Sequence, residues 1–408
     1  MKIFFLVALV ALSPLSFAAR PHLDLELTSA EYRALLSQNK DKSIDAAPIA
    51  TALKWGDRLA KWLAFENARR GPQNQLRLSS ATSRGNGIPI SEPSIYSIKT
   101  ISDDIDKMRQ DFAPEMIEVL EGATFPQTLP GADEAEFIKW ARRVDINYQT
   151  AARYKSLLPW RSAYIAAQAE DVRGYYFFKT NNWSAGSFAT FGELPATEQD
   201  TVREHLTGMC MNDLTTERDE CEEEVRVAER QQRLGALFVR FYARGEAQWK
   251  RFFEIPQYAV RSDVDHKNPN LMIVPFNRPK IAKFAPYVQD NVEDEFKWGD
   301  WKLSVKFGVF RQGPRLTFKP GVVPHVTGLG GNEIVMDSNQ PIEEFDSQWT
   351  IRHEFGHVIG LPDCYHEFYD PKLEAFVNYQ LDVKDLMCSR AGDMNERIAV
   401  ELQNAYRR

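Results

Sequence analysis

Long apolar runs are almost absent from this chain of 408 residues. The one near the start, Ile3–Leu12, falls short of the roughly 20 residues that cross a bilayer. No other stretch is apolar enough to span one, so no membrane anchor is expected in the mature chain. An excess of positive charge is also lacking. The net charge is −7, and neither a basic patch nor a stacking motif rises above background, so nucleic acid is not an expected partner. No internal repeat is visible. Cysteine is scarce, with four residues in all. What remains, 43% hydrophobic and 26% charged, is the make-up of an ordinary globular protein long enough for two domains.

The first residues read as a processing segment. Lys2 precedes the short apolar run, and Ser16-Phe17-Ala18-Ala19 follows it. This is a positive n-region, an h-region and small residues for cleavage near Ala18 or Ala19, giving a signal peptide over 1–19 and a secreted or periplasmic protein. No cysteine stands at the cleavage point, which argues against a lipid-modified end. An even number of cysteines in an exported chain suggests two disulfides.

The most informative segment is His353, Glu354, His357, Gly360 and Asp363, which spell H-E-x-x-H-x-x-G-x-x-D. Histidines four residues apart lie one helical turn apart on one face and can reach one ion. Neutral imidazole suits zinc, and the glutamate between them is placed to act on water at the metal. Gly360 lets the chain leave the helix with positive φ, so that Asp363 can swing back as a third ligand. Three protein ligands leave a fourth position open, the arrangement of a catalytic zinc site. His366, three residues further on, is the other candidate for third ligand. Asp346 or Ser347 can cap the helix, and Trp349, Phe355, Val358 and Ile359 give it an apolar side.

These residues resemble the metzincin metalloproteases, whose motif ends in histidine or aspartate and is followed by a tight turn carrying a methionine under the metal. Met387, in Asp385-Leu386-Met387-Cys388-Ser389, is the matching methionine. The aspartate form is similar to the snapalysin branch. The resemblance covers roughly the last 150 residues. It implies a secreted zinc endopeptidase with zinc held by His353, His357 and Asp363 and with Glu354 as general base. It also implies that an extended peptide adds as a strand along the cleft. Position 389 is serine where some metzincins carry a tyrosine ligand, so no fifth ligand is supplied there. If the Asp363 and Met387 segments both lie beneath the metal, Cys364 and Cys388 pair, and Cys210 pairs locally with Cys221. The Pro-Arg-Cys-Gly switch of some inhibitory pro-segments is absent.

The rest of the chain divides by texture. From 20 to 245 the pattern is mostly helical, with stripes such as Phe137, Trp140, Val144 and Tyr148, and Leu234, Leu237, Phe238 and Phe241. Residues 71–94 read as a long loop, and 217–224 as a solvated helix start. From 246 to 408 short strands enter. Leu271–Val274 suits a buried strand, and Trp301, Leu303, Val305 and Phe307 alternate with polar residues. Leu316–Phe318 is a third strand, and Glu333–Asp337 is either the substrate-pairing edge of the cleft or an ordinary core strand. A helix closes the chain from about 393 to 406. Phe368, Tyr369, Phe376 and Tyr379 either line an apolar specificity wall or form core. The expected fold is therefore α+β: a metzincin-like zinc domain behind a mostly helical domain, itself an inhibitory propeptide or a permanent accessory. Two other functions fit the same residues. One is a metallated but non-catalytic binding or adhesion protein, and the other a zinc hydrolase of a non-protein amide such as cell wall.

Overall fold

A computed structural model describes residues 47–70, 74–76, 78, 93–213, 217–319, 322–338, 347–390 and 392–407. The expected signal peptide, most of the 71–94 loop and Asp346 lie outside these residues. The described chain is α+β, and no described helix is long and apolar enough to cross a membrane.

The first part is built on three packed helices, Ala47–Asn67, Ile98–Asp111 and Glu134–Leu157. Asp133 caps the last by accepting from Glu136 N, supplying one of the acceptors that the first turn of a helix lacks. The Phe137, Trp140, Val144 and Tyr148 stripe is buried against the other two helices. A second helical cluster follows, from Arg173–Thr180 to Leu234–Phe253, around Phe178, Leu206, Phe238 and Phe241. The Cys210–Cys221 disulfide staples two of its helices. The helix Leu234–Phe253 runs straight through residue 245 and carries Phe253 into the core of the next part.

That next part opens with a sheet in the order β2 (Asp265–Asn268), β3 (Leu271–Asn277), β5 (Trp301–Gly308), β4 (Lys297–Trp298), in which β3 and β5 pair in parallel across the helix Phe284–Glu295. The alternation of Trp301, Leu303 and Val305 with Lys302 and Lys306 does place the apolar set inward and the lysines in solvent. A second sheet runs in the order β6 (Arg315–Lys319), β8 (Glu333–Asp337), β7 (His325–Val326). This decides between the two readings of Glu333–Asp337. It is held on both sides, parallel to β6 and antiparallel to β7, so it is the central strand, with β6 and His325–Val326 at the two edges.

The helix Ser347–Val358 follows, with all twelve residues buried. Arg352 is the reason so polar a helix can sit inside. Its guanidinium donates to Asn291 Oδ1 at 2.5 Å and to Glu295 Oε2 at 3.2 Å, locking the helix to Phe284–Glu295. Beyond it, β9 (Tyr365–Asp370) and β10 (Ala375–Gln380) form a hairpin. β1 (Ser94–Tyr96), from the helical part, adds to the outer side of β10 with Ser94 opposite Asn378 and Tyr96 opposite Phe376. Tyr369 and Phe376 are buried in the helical core, whereas Phe368 and Tyr379 are half-buried, and none of the four lines the cavity beside His353 and Glu354. Of the two readings of these aromatics, core holds for Tyr369 and Phe376.

Candidate metal centre

The helix brings His353 and His357 to one face, and the chain then turns at Gly360, which has φ +92°. The turn does two things. It presents the Leu361 carbonyl to His357 Nδ1 at 2.8 Å. It also swings Asp363 across both rings, its Oδ1 lying 3.0 Å from His353 Nε2 and 3.2 Å from His357 Nε2. His353 Nδ1 meets the Leu386 carbonyl at 2.8 Å. A carbonyl oxygen can only accept, so each Nδ1 carries a hydrogen and each Nε2 is the atom turned to the shared point. The three donors lie within 4.8 Å of one another.

His366 does not join them. Tyr365 faces the cavity, so the next residue of the strand faces the other way. His366 is buried there, with Nε2 against the Ala167 carbonyl at 2.9 Å and Nδ1 3.7 Å from Asp171. A second group, Cys364, Asp385 and Cys388, also clusters. Its two cysteines are joined in a disulfide, as is the other pair, leaving no thiolate for an ion.

Charge at the centre is mutually supported. Burial opposes a proton on His357, but the Asp363 carboxylate outweighs it and holds the imidazole up at about 9. Burial likewise opposes charge on Asp363, and His357 and His353 hold it well below the usual carboxylate range. Glu354 is different: its Oε2 is buried and has no hydrogen-bond partner among the described residues. It lines, with His353, a cavity of about 310 Å³. Two imidazoles, a carboxylate and a neighbouring carboxylate oxygen without a partner among the described residues form a donor set that suits zinc, with room for water beside it. The residues therefore fit the ion.

The turn beneath is firmly built. Asp385 Oδ1 accepts from Met387 N at 2.9 Å. Asp385 Oδ2 is gripped by Asn395 at 2.7 Å and by Arg397 at 2.7 and 2.9 Å. Met387 is fully buried, and a Cβ on Gly356 would lie 2.4 Å from its sulfur. Glycine at 356 thus gives the Met387 side chain room to lie against the helix.

Several site residues were not singled out from sequence. Tyr365 stacks on His353, with ring centroids 6.4 Å apart, and lines the cavity. Tyr148, Gln149 and Arg153 line it too, although they come from the helix Glu134–Leu157. The Tyr148 hydroxyl donates to Asp337 across the gap. Tyr148 was legible only as one residue of a core stripe. The others carried no signal, because a single polar residue on a helix does not announce a partner two hundred positions away. Comparison with protein-family models, with characterised proteins and with solved structures finds no match.

Proposed function

We propose that this protein is an exported zinc-dependent endopeptidase of metzincin type. The observation that carries this reading is the convergence of His353, His357 and Asp363 beside the partnerless, cavity-facing carboxylate of Glu354. Zinc suits that donor set, and bound there it supplies Lewis acidity, acidifying water and polarising a carbonyl. The protein's own groups do the rest. The two carbonyls on Nδ1 fix the ring planes and tautomers of His353 and His357. Glu354 takes the proton of the attacking water and returns it to the leaving amine. An extended peptide adds along β7, which among the described residues pairs only with β8. Val322, Val323 and Pro324 just before it line the cavity. Two disulfides suit an oxidising compartment.

The test is Glu354→Gln. The variant should bind one zinc as tightly as the parent but cleave denatured protein more slowly by a factor of about 10²–10⁴. Substantial cleavage by the zinc-loaded variant would remove Glu354 as general base. A zinc-loaded parent that cleaves no peptide bond would overturn the endopeptidase itself and turn attention to non-protein amides.

A further inference from the structure

The strand that follows the third donor is clamped from outside its own half of the chain. Arg153, on the helix Glu134–Leu157, grips Glu367 of β9 with two arms, Nε to Oε1 at 2.7 Å and Nη2 to Oε2 at 2.7 Å. The Glu367 side chain is 6% exposed and that of Arg153 22%, so this is a largely buried, bidentate pair, the geometry in which a guanidinium gives most direction. The same guanidinium lies 5.6 Å from the centre of the Tyr365 ring. The Tyr365 ring in turn stacks on His353, with 24° between the planes. Arg153, Tyr365 and His353 all line one cavity. A contact chain thus leads from the helical half through Tyr365 to a metal-facing imidazole. A second path leads through Glu367 into β9, whose first residue is two positions beyond Asp363.

We infer that Arg153 is a positioning residue for the metal centre, so that the helical half is a working wall of the site rather than a cover to be removed. The inference rests on His353, His357 and Asp363 binding zinc. Its physical basis is preorganisation. Asp363 sits on a loop between Gly360 and β9, and it closes on the ion only if both ends of that loop are fixed. The His357–Leu361 bond fixes the near end, and the disulfide Cys364–Cys388 holds the residue just after Asp363. Arg153 fixes the strand that follows and holds Tyr365 against His353. Groups that orient a ligand in this way are worth roughly 10–100-fold in metal affinity or activity. A removable inhibitory segment would carry no such groups, because its loss would weaken the enzyme it releases.

The experiment compares full-length variants by chelator competition for zinc and by the visible absorption of the cobalt(II)-loaded forms, with circular dichroism and thermal melting to establish the fold. Arg153→Met alone would strand the Glu367 carboxylate, so the working variant is Arg153→Met with Glu367→Gln. Arg161→Met serves as control, since Arg161 lies over Tyr369 of the same strand at 4.4 Å but outside the cavity. The double variant should bind zinc roughly 10–100-fold more weakly and show altered cobalt bands, while Arg161→Met behaves as the parent. Parental affinity and bands in a folded double variant would overturn the inference. Should the double variant not fold, Arg153→Lys decides. It keeps charge on Glu367 without the planar fork, so weakened zinc binding supports the inference and parental binding overturns it. These readouts need no substrate. A chain that binds zinc, responds to Arg153 and cleaves nothing would therefore sink the endopeptidase reading alone.

Discussion

At the scale of single residues, backbone conformation decides the centre as much as ligand identity does. Gly360 shows it. Its φ of +92° is strained for any other residue, and a Cβ there would lie 2.9 Å from both the Ala259 carbonyl oxygen and an Ile255 methyl. Gly360→Ala is therefore expected to cost about 1–3 kcal/mol. It should also loosen zinc, since the turn that strains is the one aiming Asp363. Thermal melting with and without zinc checks both effects; an unchanged midpoint in the apo form would show the turn to be more tolerant than its geometry implies. The choice between Asp363 and His366 belongs to the same scale. Spacing alone allows either. The turn at Gly360 aims Asp363, while strand alternation from Tyr365 onward turns His366 away, and alternation is invisible until the start of the strand is known.

Among elements, a buried polar cluster joins the second helical group to β9. Asp171 and Arg173 pair at 2.6 Å, Arg173 stacks over Tyr379 at 3.8 Å, and His366 looks onto Asp171. His205 stacks on Phe177 nearby, with centroids 4.2 Å apart. Burial pushes His205 down to about 4, only partly offset by Asp171, and burial also pushes His366 down. Both histidines are thus neutral when folded, while an unfolded chain protonates them near about 6.5. Stability they do not cost at neutral pH is lost as pH falls through about 6.5, and the His205 share levels off near about 4. Melting between pH 7 and 4 should show this fall, and His205→Gln should flatten it. An equal slope in the variant would remove His205 from the account. Elements also show what sequence makes legible. Trp301, Leu303 and Val305, and the stripe through Trp140, declare themselves by period. The edge strand His325–Val326 is two residues long and follows Pro324, so it has no period to show.

For the whole molecule, the two halves are joined by groups that neither half can satisfy alone. β10 needs β1 beside it, Tyr369 and Phe376 need the helical core, Glu367 needs Arg153, and the helix Leu234–Phe253 belongs to both. Residues 246–408 expressed alone should therefore be insoluble or bind zinc poorly, for they begin inside that helix and expose two aromatic rings and a strand edge. A soluble fragment more active than the full chain would restore the propeptide and remove the wall. Of this joining only the helix was legible beforehand, since its apolar stripe through Phe241 runs on into Trp249, Phe252 and Phe253 with no linker between. The HExxH run, Gly360 and Asp363 lie within one short segment and speak through spacing, whereas Arg153 and Glu367 stand 214 positions apart. The joining has a consequence in time. A chain made from its first residue completes Ser94–Tyr96, Tyr148 and Arg153 long before Phe376 and Glu367 exist to receive them. The helical half must wait, its core lacking two rings, until almost the last residues arrive. The walls around the metal-facing residues are then assembled in one late step, so the growing chain holds no finished centre while it is still being made.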